Sequence, residues 1–237
     1  MKKILLLSLL IIGCNNTSGE SSISAEEYYK RGLSKDKIED YYGAISDFNK
    51  AIELDPNNAT YYGDRGLSKA FIDENYGAIS DYNKAIELDP NTDAYDNRGI
   101  LRIKLEDYYG AIEDFNKAIE LDPNYAFSYH FRGIAKKKLE DYYGAIEDFN
   151  KYIELDPNYD NNYFLRGQAK FELKDYYGAI EDFTKVIEIA PDNYNGYFYR
   201  GIAKGYLRDK KGYCEDMKKA ANLGDTVATE LVEENCN

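Results

Sequence analysis

The clearest pattern in the chain is a stripe of apolar residues at helical spacing, bounded by an aspartate and a proline. After Asp107, apolar side chains recur at i, i+1, i+4, i+7 and i+8: Ala111, Ile112, Phe115, Ala118 and Ile119. This spacing places them on one face of an α-helix. Asp107 stands where a helix N-cap is expected, and Asp122 precedes Pro123, a position that proline pushes out of the helical region. The stretch therefore predicts one amphipathic helix followed by a turn.

This helix is one of several copies. The stretch at 107–126 recurs almost letter for letter at 141–160, and more loosely at 40–59, 74–93 and 175–194. Counting back from the prolines divides the chain into six units: 25–58, 59–91, 92–125, 126–159, 160–193 and 194–225. Repeats of this length predict an all-α solenoid rather than a single globular core. Residues 226–237 are expected to add a helix that covers the open apolar face of the last unit.

The units resemble the tetratricopeptide repeat (TPR) family at four marker positions, counted from the first residue of each unit. The family's small residue at position 8 is Gly32, Gly66, Gly99, Gly133, Gly167 and Gly201. Its alanine at position 20 is Ala44, Ala78, Ala111, Ala145 and Ala179, and its aromatic residue at position 24 is Phe48, Tyr82, Phe115, Phe149 and Phe183. Its proline at position 32 is Pro56, Pro90, Pro123, Pro157 and Pro191. The resemblance implies two helices per unit and a concave groove lined by the first helices.

Other residues recur beyond this family pattern. Position 7 is always arginine and position 23 is always aspartate, for example Arg98 and Asp114. An arginine and an aspartate repeated in step indicate a structural ion pair, within a unit or between neighbours, and a ligand-binding role for the arginines is the alternative. Position 19 is always glycine, which costs a helix roughly 0.5–1 kcal/mol relative to alanine. The pattern does not explain that glycine.

The N-terminal residues form a separate segment. Lys2 and Lys3 precede an apolar run, 4–12, which is too short to span a bilayer but suits a secretory signal peptide. The run ends in Gly13-Cys14 and resembles the lipobox of bacterial lipoproteins, in which the cysteine is acylated after cleavage. We therefore expect a signal peptide at 1–13, a lipid-bearing Cys14 with a flexible tether at 14–24, and a location in the bacterial cell envelope, periplasmic or on the outer surface. The alternative is an ordinary signal peptide with an incidental cysteine.

The two remaining cysteines lie at the other end of the chain. Cys214 occupies a position that holds isoleucine in the other units, and Cys236 lies near the end of the expected capping helix. If that helix runs antiparallel to its predecessor, the two cysteines become level with each other. An exported protein with an even pair of cysteines favours a disulfide. Two separate thiols, with Cys214 merely buried, are the alternative.

Composition narrows the classes of function. The formal net charge is −13, with 43 acidic and 30 basic residues, which argues against nucleic-acid binding and against electrostatic docking on anionic lipid. Membrane association is thus expected only through the lipid anchor. His130 is the single histidine, and the chain has no motif for nucleophilic, phosphate or metal chemistry. We expect neither catalysis, nor a cofactor, nor a metal site.

Function is therefore expected from the concave groove, where the family's positions 2, 5, 9, 12 and 13 lie. The candidate groove residues are Tyr29, Leu33, Phe71, Asp96, Phe127, His130, Lys137, Phe164, Gln168, Phe171, Phe198 and Tyr206. The family's clamp for C-terminal carboxylates needs lysine and asparagine at positions 5 and 9, and neither occurs there. Aromatic anchors are typical of peptide recognition, so we expect a protein or peptide partner. The alternatives are that the rings only pack between helices, and that the protein is a structural or surface-displayed repeat acting by self-assembly or host contact.

Overall fold

The computed structural model describes residues 23–236, which form thirteen α-helices and no strand. The helices are α1 Ala25–Asp36, α2 Tyr41–Leu54, α3 Ala59–Phe71, α4 Asn75–Leu88, α5 Thr92–Lys104, α6 Tyr108–Leu121, α7 Ala126–Lys138, α8 Tyr142–Leu155, α9 Asp160–Glu172, α10 Tyr176–Ile189, α11 Tyr194–Tyr206, α12 Lys210–Asn222 and α13 Thr226–Asn235. The predicted all-α solenoid is confirmed. The predicted signal peptide, Cys14 and nearly all of the predicted tether lie outside the described residues.

Successive helices form hairpins that stack in chain order. The most extensive packing joins the two helices of each unit, such as α5 with α6, and each second helix also packs on the first helix of the next unit. In addition, α1, α3, α5 and α7 each contact the next first helix in the series. Because the first helices approach one another, they line the inner, concave side of the array. None of the helices in the described region is both long and apolar enough to cross a bilayer.

A left-handed residue makes the tight turn inside every unit. Position 15 has a φ of 61–64° in Glu39, Asp73, Glu106, Glu140, Lys174 and Arg208. In unit 3, the N–H of Glu106 donates to the Ile103 carbonyl and the N–H of Asp107 donates to the Arg102 carbonyl at 2.8 Å. This pair of bonds is a Schellman motif, which ends the first helix with its last carbonyls satisfied. The strain of a non-glycine residue in this conformation is thus offset by hydrogen bonds.

The capping aspartate explains the glycine at position 19. Asp107 accepts a hydrogen bond from the N–H of Gly110 at 3.0 Å and so caps α6. The same carboxylate lies where a side chain at Gly110 would begin, since a Cβ there would be 2.9 Å from Asp107 Cγ. Only glycine leaves room for the cap in this geometry. The exception is α4, where Glu74 takes the aspartate's place and makes no side-chain cap bond.

The repeated Arg–Asp pair lies within each unit. Asp114 is almost fully buried and accepts bonds from Arg98 Nε at 3.0 Å and from Arg102 Nη1 at 2.9 Å. The third nitrogen of Arg98 donates to Asn83 Oδ1 of the preceding unit at 2.6 Å, and the guanidinium carbon lies 5.5 Å from the Tyr95 ring centroid. Every unit repeats the pairing of this aspartate with its two cations. These arginines are therefore used in packing and stacking.

The C-terminal end is closed by α13. Met217, Ala220 and Ala228 form a buried cluster between α12 and α13, and Phe198 packs against it. A disulfide joins Cys214 to Cys236, with the two Cα atoms 5.5 Å apart. The last helix is therefore both packed and covalently fastened to the unit before it.

Candidate functional site

The predicted groove residues fall into three sets: exposed residues, residues that join neighbouring units, and residues that line a cavity. Leu33, Phe71, Phe127 and Tyr206 are exposed, with Phe71 at 58%, Phe127 at 48% and Tyr206 at 62% of their surface. All four belong to first helices, which line the concave side. Such large apolar side chains are available to a ligand without any change in the fold.

Asp96 and His130 were expected in the groove but are buried between units. Asp96 is 5% exposed and accepts from Ser128 Oγ at 2.9 Å, while His130 is 6% exposed with its Nδ1 2.9 Å from Asn162 Oδ1. Burial raises the pKa of Asp96 to about 7 and lowers the pKa of His130. The expectation was wrong for these two because position 5 of one unit meets position 3 of the next. They join α5 to α7 and α7 to α9, and Asp96 also lines a small cavity beside Phe127.

Three predicted aromatic residues are also used for packing. The Tyr29 hydroxyl donates to Asp64 Oδ2 at 2.7 Å, and its ring centroid lies 4.8 Å from that of Tyr61 in the next unit. Phe164 makes an edge contact with Tyr199 at 5.1 Å, and Phe198 packs against the C-terminal cluster. The alternative that rings pack between helices therefore holds for Tyr29, Phe164 and Phe198.

The remaining predicted residues meet at a cavity lined by units 4, 5 and 6. The cavity has a volume of about 320 Å³ and is lined by Lys137, Tyr142, Gln168, Phe171, Glu172 and Tyr199. Lys137 Nζ donates to Gln168 Oε1 at 2.6 Å. Burial lowers the pKa of Lys137, and the positive charge of Lys138 lowers it further, while Glu172 acts in the opposite direction. Lys137, Gln168 and Phe171, three of the predicted groove residues, thus lie together in one site.

Aromatic residues of the second helices extend the apolar lining of this cavity, and they were not predicted from the sequence. Phe171 makes edge contacts with Tyr176 at 5.2 Å and with Tyr206 at 5.2 Å, and Tyr176 stacks on Tyr206 at 4.9 Å. At the other end of the groove, Phe71 stacks on Tyr41 at 4.8 Å. Tyr41 and Tyr176 share position 17, the first tyrosine of the repeated Tyr-Tyr-Gly. The repeated tyrosine doublet could have indicated these residues, because a side chain beside the turn within a unit can reach the groove from the second helix.

The seam between units 2 and 3 contains a second cavity. Its volume is about 340 Å³, and its lining includes Gly63, Asp64, Tyr82 and Ala94. Position 5 is glycine and position 3 is alanine at this seam, so neither side chain fills the space that Asp96 and Ser128 fill one unit later. Burial raises the pKa of Asp64. In the part of the chain that the structure describes, no group of three histidine, cysteine or acidic side chains is arranged to hold a metal ion.

Comparison with known families identifies the repeats. Models of the tetratricopeptide repeat match residues 25–58 and 93–125, 59–92 and 128–159, and 161–193. A comparison with curated proteins finds no match.

Solved structures with the same fold are numerous. MamA is 26% identical with a TM-score of 0.67, over 70% of this chain and 91% of that one. YrrB, described as a TPR protein with an unusual peptide-binding site, is 24% identical with a TM-score of 0.70, over 79% of this chain and 97% of that one. PilF of Pseudomonas aeruginosa is 18% identical with a TM-score of 0.72, over 89% and 97%. Together with the family matches, which cover well over half of its length, these likenesses show that the chain belongs to the tetratricopeptide repeat family.

Proposed function

We propose that this protein is a non-enzymatic scaffold whose concave groove binds an extended peptide segment of a protein partner. The observation that carries the proposal is the set of large side chains left exposed along the first helices, Phe71, Phe127 and Tyr206 above all. Exposed aromatic anchors supply much of the binding energy in peptide recognition. TPR proteins are interaction modules, and the family assignment supports the same role.

The test compares two pairs of exposed rings. Phe127→Ala with Tyr206→Ala removes rings from the groove, whereas Tyr143→Ala with Tyr177→Ala removes rings that are 73% exposed at the start of second helices. Each purified double variant is used to retain partners from a cell-envelope extract, after circular dichroism has shown that it is folded. Loss of a stoichiometric partner only in the first variant supports the groove. Retention by the first variant with loss by the second refutes it.

Phe164 and Phe198 are also among the aromatic residues expected in the groove, but they are unsuitable for this test. Phe164 and Phe198 are half-buried in inter-unit packing, and truncating a packed phenylalanine to alanine costs about 3–5 kcal/mol. Loss of binding in a Phe164→Ala, Phe198→Ala protein would therefore report unfolding as readily as loss of contact. The more exposed rings separate the two effects.

The proposal includes export and a lipid anchor on Cys14. Its support is the positive, apolar and Gly-Cys sequence of the first 14 residues, together with the Cys214–Cys236 disulfide, since such bonds persist in oxidising compartments. Several acyl chains give stable membrane attachment where one chain is marginal. Labelling cells with a radioactive fatty acid should mark the wild-type protein but not Cys14→Ser. Equal labelling of the variant would refute the anchor.

A second candidate function, assembly through the array's own surface, is favoured by one further observation. Five tyrosines at position 18 are 73–80% exposed, one in each of the first five units: Tyr42, Tyr76, Tyr109, Tyr143 and Tyr177. A regular ladder of exposed rings is suited to contact between copies or to contact with a host surface. Analytical ultracentrifugation discriminates, because self-association that Tyr143→Ala with Tyr177→Ala abolishes would support assembly. If the protein is monomeric at all concentrations, self-assembly is refuted and host contact is the remaining role for this surface.

A further inference from the structure

Lys137 is a half-buried lysine of the groove that forms no ion pair with a carboxylate in the described part of the chain. In every unit, the cations at positions 7 and 11 pair with the buried aspartate at position 23, as Arg132 and Lys136 do with Asp148. Lys137, the next residue, forms no ion pair within the described residues. It bonds instead to the neutral amide oxygen of Gln168 at 2.6 Å. Lys137 is therefore a half-buried positive charge whose hydrogen-bond partner among residues 23–236 is the uncharged Gln168.

This ammonium has unused donors beside an apolar wall. A lysine ammonium has three N–H groups, and Gln168 accepts from one of them. Lys137 lines the 320 Å³ cavity together with the rings of Tyr142, Phe171 and Tyr199. Hydrogen bonds from an ammonium to a carboxylate are about twice as strong as those between neutral groups. A ligand carboxylate would therefore supply the direct ion pair that Lys137 does not form with any described residue.

We propose that this cavity binds one carboxylate of a peptide partner at Lys137, with an adjacent apolar side chain of the peptide against Tyr142, Phe171 and Tyr199. The carboxylate belongs to an aspartate or glutamate side chain or to a free C-terminus. This inference rests on the proposed peptide-binding function and names the chemistry that the groove selects.

The charge at the rim restricts the ligand to a single negative charge. Glu172 lines the same cavity, and its carboxylate repels a second negative charge near Lys137. A carboxylate therefore fits the site better than the dianion of a phosphorylated side chain.

The opposite half of the groove orients the peptide. At the seam of units 2 and 3, the cavity lining includes Asp64 and Asp93, and it contains no basic residue. An acidic peptide residue is repelled there and attracted to units 4 and 5. The peptide is thus expected to lie with its acidic group toward the C-terminal end of the array.

The test uses a displayed library of random twelve-residue peptides selected on the purified protein. One set of variants removes the ammonium (Lys137→Gln), and the matched control removes the adjacent exposed one (Lys138→Gln). A third variant, Gln168→Glu, places a carboxylate on the protein at the position that now holds the amide partner. Because it supplies Lys137 with an internal partner, it should block the site while keeping the array folded.

Selection on the wild type and on Lys138→Gln should enrich peptides with an acidic group next to an apolar residue. A selected peptide, made synthetically, should bind Lys137→Gln and Gln168→Glu at least about tenfold more weakly by fluorescence anisotropy. Versions with the acid replaced by its amide, and with the C-terminus amidated, identify which carboxylate is bound. The inference is overturned if peptides without acidic groups are selected equally well, or if Lys137→Gln binds as the wild type does. If the wild type selects no peptide at all, the proposed function fails with it, so the two failures are distinguishable.

Discussion

Replacing glycine by alanine should change the free energy of unfolding in opposite directions at two positions on first helices. Gly63 lies inside α3, and a Cβ built there has no neighbouring atom within 4 Å. Gly99 lies inside α5, and its Cβ would stand 2.7 Å from Cζ of Phe115, which is fully buried. Gly63→Ala and Gly99→Ala therefore separate helix propensity from packing within one fold.

The magnitudes follow from these distances. Replacing glycine by alanine in a helix interior stabilises it by roughly 0.5–1 kcal/mol, which is the whole effect expected at Gly63. At Gly99 the contact must open from 2.7 Å to about 3.5 Å, so the ring of Phe115 has to move by about 0.8 Å in a close-packed site. Overpacking of this kind costs about 1–3 kcal/mol and outweighs the gain in propensity. We expect Gly99→Ala to lose about 1 kcal/mol of unfolding free energy.

Urea unfolding followed by circular dichroism measures both changes. With a urea dependence of about 2 kcal/mol per molar, the midpoint should rise by a few tenths molar for Gly63→Ala and fall by a similar amount for Gly99→Ala. A Gly99→Ala protein as stable as the wild type would refute the close approach of α5 to Phe115. A Gly63→Ala protein that is destabilised would refute the open space at the seam of units 2 and 3.

Two further substitutions test the buried charges. Asp148→Asn leaves two cations beside a nearly fully buried site and should cost about 3 kcal/mol in urea unfolding, whereas Glu154→Gln, from an exposed pair with Lys151, should change little. Burial raises the pKa of Asp96 from 3.8 to about 7. Between these two pH values the folded state keeps a proton that the unfolded state releases. The free energy of unfolding should therefore fall as the pH rises from 3.8 to about 7. Asp96→Asn should therefore lose less stability than the wild type between about pH 5 and pH 8, and an equal loss in both proteins would contradict the burial of the carboxyl.

The architecture could be predicted from the sequence because it depends on period and pattern. A stripe at helical spacing, repeated with a proline stop every 33 or 34 residues, permits little except stacked helix pairs. The Arg–Asp ion pair was predicted for the same reason, since a structural contact that is identical in every unit requires the same two residues in every unit. The left-handed conformation of the turn residue could not be predicted from the sequence, because Glu106 and its equivalents are not glycine or asparagine.

The candidate site could be predicted only in part, because its residues do not repeat. Positions 5 and 12 lie on the same helix and both look groove-facing by family analogy. In the structure, Asp96 and His130 at position 5 are buried and bonded to the next unit, whereas Lys137 at position 12 is only half-buried and borders a cavity. Which side of a first helix meets its neighbour depends on how successive units are rotated against each other. That rotation is a property of the stacked array and has no counterpart in the period of a single unit.

The fastening of α13 by Cys214–Cys236 makes the two ends of the array unequal in their tendency to open. At the C-terminal end, fraying requires α13 to lift from a buried cluster while a covalent bond holds it to α12. At the other end of the described residues, α1 packs only on α2 and α3, with Leu33 39% exposed. Since each unit draws stability from its neighbours, melting should travel from unit 1 toward unit 6. Amide exchange should therefore decrease from α1 along the array, so that the described part of the chain is least rigid at α1 and most rigid at the α12–α13 pair.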